Sequence, residues 1–208
     1  MKKINIFKYI FIIVIIILAI VTYSIYKRDK ESPDKKTVVQ ETEETTDVVK
    51  ELRLAISQLD TINPIISKNK YVQEISKIIF DSLIELKDDY SKEYALAKEI
   101  SKTDDLTYVI KLRDNVKWTD GTEFKAEDVK YTVILLKNID SVYSANVNHI
   151  VAIDILDDQT LKFTLDQNVP FFEYNLTFPI MSSEYYKDID FTNSDKTNLP
   201  IWTGMFKI

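Results

Sequence analysis

The chain has 208 residues, enough to bury a hydrophobic core, and a net charge of −6 from 27 Lys+Arg against 33 Asp+Glu. Because a duplex-binding surface needs a basic face, this charge argues against nucleic acid as a partner. Cys is absent, His149 is the single histidine and only two glycines occur, which excludes thiolate chemistry, multi-histidine metal sites and glycine-rich phosphate loops.

The N-terminal segment is apolar and long enough to cross a membrane. Residues 9–26 contain no charged side chain, and a helix over them would be about 27 Å long. No Ala-x-Ala cleavage pattern follows, which favours an uncleaved membrane anchor over residues 1–27; a cleaved secretion signal and a buried globular helix are the alternatives. The positive charges on either side leave the orientation of this anchor open.

The next segment differs in composition from both of its neighbours. Residues 28–50 are charged and Thr-rich, with little to bury. Such a segment cannot recover its ordering entropy through packing, so we expect a flexible acidic linker. Apolar patterning returns at Glu51, and the sequence therefore predicts a globular part over residues 51–208.

The globular part alternates strand-like and helix-like patterns. Leu52, Leu54 and Ile56 alternate with polar residues and predict a half-buried strand. Apolar side chains at helical spacing predict one helix over about Tyr71–Ser82 and a second over Ala126–Lys137. Further strand patterns, next to acidic turns, cover residues 107–112, 150–156 and 161–165. In the last of these, alternation places Leu161, Phe163 and Leu165 on one face. This order of elements predicts an α+β fold.

Residue types alone indicate no active site. Three pairs of adjacent Asp residues, at 88–89, 104–105 and 157–158, lack the glycine that calcium loops need, so turn residues are the simpler interpretation. Tyr143 and the pair Tyr185–Tyr186 could contact a ligand, although aromatic side chains usually serve packing. We therefore predict that the protein is not an enzyme and has no catalytic residues, metal site or cofactor.

The most specific pattern is the stretch from Trp118 to Thr132, which reads WTDGTEFKAEDVKYT. It predicts a strand end at Trp118, a tight turn at Asp120-Gly121 and then a helix start. It resembles the signature of the family 5 extracellular solute-binding proteins, which serve oligopeptide, dipeptide and nickel ABC importers. That signature runs Trp, Ser/Thr, Asp and Gly, then an apolar residue, Ala, Asp, Val, an aromatic residue and Ser/Thr, and every fixed position is filled. Weaker resemblances on both sides extend the match over about residues 51–208.

The resemblance implies a fold, a location and partners. The expected fold is the partial first lobe of a type II periplasmic-binding-protein fold, preceded by one transmembrane helix, with the globular part outside the cell at the membrane. A peptide or similar solute and an ABC permease are the expected partners. Because family members continue through a second lobe, we expect a truncated solute-binding component; a membrane-anchored extracytoplasmic interaction module is the alternative.

The resemblance also suggests where a ligand would be contacted. One segment corresponds to the edge of the family's cleft, one aromatic residue to a side chain that faces bound peptide, and one pair to the crossing between lobes. These six candidates are, in that order, Asn69, Lys70 and Tyr71, then Tyr143, then Trp202 and Thr203.

Several positions depart from the family pattern. The family's helix-capping Thr is Lys125 here, which removes a side-chain acceptor for the first amides of the helix. Ser82 replaces a Gly at the end of the first helix, and Trp202 and Met205 replace a Gly and a Pro near the C-terminus. We expect these changes to reshape local turns and leave the fold intact.

Overall fold

The computed structural model describes residues 18–24, 27 and 59–204. The chain divides into two units, Met1–Leu54 and Ala55–Ile208. In the first unit, residues 18–24 are helical and exposed. None of the helices in the described ranges combines the length and the apolar character needed to cross a membrane. Most of the predicted anchor, all of the predicted linker and the strand predicted at residues 52–56 lie outside the described residues.

The described part of the second unit contains two α-helices and six strands. In chain order they are α1 (Lys70–Ile79), β1 (Ile84–Leu86), β2 (Lys92–Tyr94), β3 (Ala97–Lys102), β4 (Thr107–Leu112), α2 (Ala126–Asn138), β5 (Ile150–Asp157) and β6 (Thr160–Leu165). β1 and β2 form a small hairpin, and the other four strands form one sheet in the order β3-β4-β6-β5. All pairs are antiparallel, which confirms the predicted α+β class.

One face of the four-stranded sheet carries the core. Successive side chains of a strand point to opposite faces, so residues two apart share a face. The inward residues of the two central strands are buried: Tyr108, Ile110 and Leu112 from β4, and Leu161, Phe163 and Leu165 from β6. The common face predicted for the last three is confirmed. α2 packs against the sheet through β5.

The two edge strands of this sheet are irregular and its central pair is not. β4 and β6 pair residue for residue, whereas β3 and β5 each contain extra residues relative to their partners. The extra residues are Lys98 in β3, and Val151 and Leu156 in β5. A bulge interrupts the alternation of inward and outward side chains along a strand. Val151 and Leu156, the extra residues of β5, are both exposed.

α1 ends three residues before the predicted boundary. Its last residue is Ile79, and Phe80 is already extended, with φ −106° and ψ 125°. The backbone N–H of Gly204 donates to the carbonyl oxygen of Ile79 at 3.1 Å. A Cβ atom at position 204 would overlap that carbonyl, so only glycine fits there. The prediction that α1 reaches Ser82 was wrong, because a distant segment takes the place of the next helical turn.

Two adjacent phenylalanines at the start of the 3₁₀ helix Phe172–Asn175 have opposite environments. Phe172 is fully buried, and its ring centroid lies 4.8 Å from that of Tyr108 and 6.4 Å from that of Phe163. Phe171 is 81% exposed and has a left-handed backbone, with φ 56°. The two rings are thus in opposite environments on either side of a left-handed residue.

Candidate functional site

The Trp118–Thr132 stretch forms a corner between a bridge and a helix. Lys117 and Glu123 pair as an isolated antiparallel bridge, and the chain turns between them. Gly121 lies in that turn with φ 92°, a backbone conformation that glycine adopts at low cost. Asp120 Oδ1 accepts hydrogen bonds from the backbone N–H and the hydroxyl of Thr122, at 2.9 and 2.6 Å. The tight turn and the helix start predicted for this stretch are confirmed, but the predicted strand end at Trp118 was wrong, because an isolated bridge takes its place.

Asp128 organises this corner. Its carboxylate is 3% exposed and accepts four hydrogen bonds. Oδ2 accepts from the Trp118 indole N–H at 3.2 Å and from the Lys125 backbone N–H at 2.9 Å. Oδ1 accepts from the backbone N–H and the hydroxyl of Ser183, both at 2.7 Å. The signature Asp is therefore a structural hub that joins the corner to residue 183.

Thr132, the last residue of the signature, extends the same junction. Its buried hydroxyl donates to the carbonyl oxygen of Asp128 at 2.8 Å and accepts from the backbone N–H of Met181 at 2.9 Å. Lys125 precedes the helix without a side-chain capping hydrogen bond, but its backbone N–H is satisfied by Asp128. Asp128 and Thr132 thus join the corner to residues 181–183.

Asn69, Lys70 and Tyr71 form the start of α1. Asn69 is the N-cap, and its Oδ1 accepts from the backbone N–H of Tyr71 at 2.9 Å, which satisfies one of the amides that a helix start leaves open. Lys70 is exposed and Tyr71 is 53% exposed. This segment presents two side chains to solvent next to a structural cap.

Tyr143 lies against the side of α1. Its hydroxyl donates to Gln73 Oε1 at 2.6 Å. Burial raises the pKa of the Tyr143 hydroxyl above its ordinary value, an effect that the charge of Glu74 reinforces and a hydrogen bond with Ser76 opposes. Tyr143 therefore stays protonated at neutral pH and acts as a hydrogen-bond donor.

Trp202 and Thr203 lie beside the other end of α1. Trp202 is 7% exposed, and its ring meets that of Phe80 edge to face, with centroids 5.9 Å apart. Its carbonyl oxygen accepts from the backbone N–H of Thr119 at 2.9 Å, so it also contacts the signature turn. Thr203, the next residue in the chain, is partly buried.

A cavity of about 340 Å³ opens beside the last turns of α1. Five of its wall residues are apolar or aromatic, and the others offer hydroxyl or charged groups. The ten residues are Ser76, Lys77, Phe80, Ser82, Ile84, Glu85, Leu86, Tyr143, Thr177 and Pro179. The volume lies at the lower limit of small-molecule sites, and the wall, half apolar and half polar, is more polar than most of them.

The structure brings together only part of the predicted site. Tyr143 lines the cavity, and Trp202 contacts the wall residue Phe80 from behind. Asn69, Lys70 and Tyr71 lie at the opposite end of α1, outside the lining. The hairpin residues of the wall, such as Glu85, were not predicted, because β1 and β2 are too short to give a strand pattern.

Comparison with known proteins identifies relatives over most of the globular part. A model of the bacterial extracellular solute-binding proteins, family 5 Middle, matches residues 93–208. A glutathione-binding protein of Salmonella typhimurium, GsiB, is 29% identical over 163 residues, which make up 73% of this chain and 30% of the relative.

Two solved structures share both the fold and part of the sequence. NikZ from Campylobacter jejuni, in complex with Ni(L-His), has a TM-score of 0.63 and 29% identity over 71% of this chain. The substrate-binding protein CtaP from Listeria monocytogenes has a TM-score of 0.61 and 28% identity over 72%. The aligned parts make up 30% and 32% of those proteins, so the chain spans about a third of their length. With the family model matching residues 93–208, this chain belongs to the bacterial extracellular solute-binding proteins of family 5.

Proposed function

We propose that the chain is the solute-binding component of an ABC importer and that its solute is a peptide or a similar small molecule. The observation that carries the proposal is the signature corner built around Asp128 in a chain of family 5. The relatives named above bind glutathione or a nickel–histidine complex, so short peptides and metal complexes of amino acids are the solutes to test. The chain itself carries out no chemistry in this proposal; the permease and its ATPase do the transport.

A titration tests the solute-binding role directly. The full chain, kept in solution with a mild detergent, is titrated calorimetrically with glutathione, trialanine and nickel–histidine. We expect saturable binding of at least one of them with a Kd below about 1 mM, which corresponds to roughly −4 kcal/mol. Absence of binding by all three at millimolar concentration would contradict the proposal and would favour the membrane-anchored interaction module.

The location is proposed as the outer face of the cell membrane, with the apolar segment within residues 1–27 as the anchor. The evidence is the uncharged stretch at residues 9–26 and the extracellular family to which the chain belongs.

Protease treatment of intact cells that produce the chain with a C-terminal tag checks this location. We expect the tag and the globular part to be lost, because they face the medium. A cytoplasmic marker protein must stay intact in the same sample, and both must be degraded after lysis. Survival of the globular part on intact cells would place it inside and contradict the proposal.

A further inference from the structure

Glu85, the acidic residue in the wall of the cavity beside α1, is exposed and has no partner among the described residues. Glu85 lies in β1 and contributes to the cavity wall. Among the described residues its carboxylate makes no ion pair within 4.0 Å and accepts no side-chain hydrogen bond. Directly opposite it in the hairpin is Glu93, and like charges in facing positions of a strand pair repel.

The nearby cations do not neutralise Glu85. Lys77, the cation of the cavity wall, pairs with Glu74 at 3.1 Å. Lys87, on the same hairpin, pairs with Glu93 at 3.0 Å. Burial raises the pKa of the Glu85 carboxyl, and the charges of Asp81 and Glu93 raise it further. A positive charge placed beside the Glu85 carboxylate would stabilise its ionised form and lower its pKa again.

The rest of the wall suits the apolar part of a small ligand. Phe80, Leu86 and Tyr143 offer aromatic and aliphatic surface. Leu86 is 44% exposed in the free protein, so a ligand that covers it gains hydrophobic free energy. An anionic ligand is disfavoured by Glu85, because the cation of the wall is already paired with Glu74.

We propose that this cavity binds a primary ammonium group, with Glu85 as its acceptor and with the apolar body of the ligand packed against Phe80, Leu86 and Tyr143. The inference rests on the proposed function for the source of the ligand, which would then be the free N-terminus of a short peptide or another amphipathic amine. A charge-assisted hydrogen bond is stronger than a neutral one, so the ammonium group would fix the orientation of the ligand at the exposed carboxylate of Glu85.

The test compares two probes of similar shape that differ in charge. 2-Phenylethylamine carries a full ammonium charge at pH 7, and N-acetyl-2-phenylethylamine carries none. Titrated into the full chain at low salt, the amine is expected to bind at least roughly tenfold more tightly than its acetylated form. Glu85→Gln is expected to remove that difference. The variant should bind the amine more weakly and the acetylated form with unchanged affinity.

A matched variant controls for net charge. Glu184 is exposed and lies outside the cavity wall, so Glu184→Gln makes the same change in net charge and should leave both affinities unchanged. Glu85→Gln should unfold at the same urea concentration as the parent or a higher one, because it removes a charge held beside two other acids. A lower midpoint would contradict the description of Glu85 as an unpaired charge.

The two proposals fail in different ways. The ammonium site would be contradicted if the two probes bound with equal affinity. It would also be contradicted if Glu85→Gln and Glu184→Gln had the same affinity for the amine. If a peptide binds equally well with a free and an acetylated N-terminus, the ammonium site is wrong and the solute-binding role stands. If the amine binds through Glu85 and no peptide or metal complex binds, the solute-binding role is wrong and the site is supported.

Discussion

Asp128→Ala is expected to lower the free energy of unfolding by about 3–5 kcal/mol, because it removes the acceptor of several buried donors at once. The Trp118 indole N–H and the backbone N–H groups of Lys125 and Ser183 would lose their partner. A domain of ordinary stability has about 5–15 kcal/mol in total, so this variant would be close to unfolding. Urea titration followed by tryptophan fluorescence measures the loss, since Trp118 is itself one of the donors.

Two further variants separate charge from hydrogen bonding. Asp128→Asn keeps the shape but has one acceptor oxygen instead of two, so one set of donors stays unsatisfied and we expect a loss of about 2–3 kcal/mol. Glu127→Ala changes an exposed acid on the same helical turn and should cost less than about 1 kcal/mol. If Asp128→Ala and Glu127→Ala had the same effect, Asp128 would not be the hub of the corner.

Phe172→Ala should lower the free energy of unfolding by about 3–5 kcal/mol, because the removed ring leaves a cavity next to Tyr108 and Phe163 that the sheet cannot close. The Phe172 ring is fully buried. It contacts the rings of Tyr108 and Phe163, which belong to the two central strands. Urea unfolding of the full chain gives the loss from the shift of the midpoint.

Phe171→Ala provides a control with the same chemical change one residue earlier. Its ring is mostly in solvent, so we expect a change within about 0.5 kcal/mol. Equal losses at the two positions would contradict the burial of Phe172 and the exposure of Phe171.

The sequence was most informative where a motif encodes one local structure. The turn at Gly121 and the start of α2 at Ala126 were both predicted, since an Asp-Gly turn and first-turn acids act over a few residues. The burial of Leu161, Phe163 and Leu165 on one face was also predicted. Strict alternation along a strand needs no information from elsewhere in the chain.

Features that depend on distant segments could not be predicted. The end of α1 at Ile79 is set by Gly204, far along the chain. The cavity joins Tyr143 to Glu85 of a three-residue strand, and no local pattern links those positions. The family resemblance identified Tyr143 as a candidate, but it also grouped it with Asn69, Lys70 and Tyr71, which lie at the other end of the helix.

The extra residues in β3 and β5 have a consequence for how neighbouring copies of this protein behave. A regular edge strand offers a row of free amide and carbonyl groups to any passing chain, and bulges interrupt that row. Here both outer strands are interrupted, at Lys98 on one side and at Val151 and Leu156 on the other. Neighbouring copies would therefore resist pairing edge to edge into fibres through the two strands that bound this sheet among the described residues.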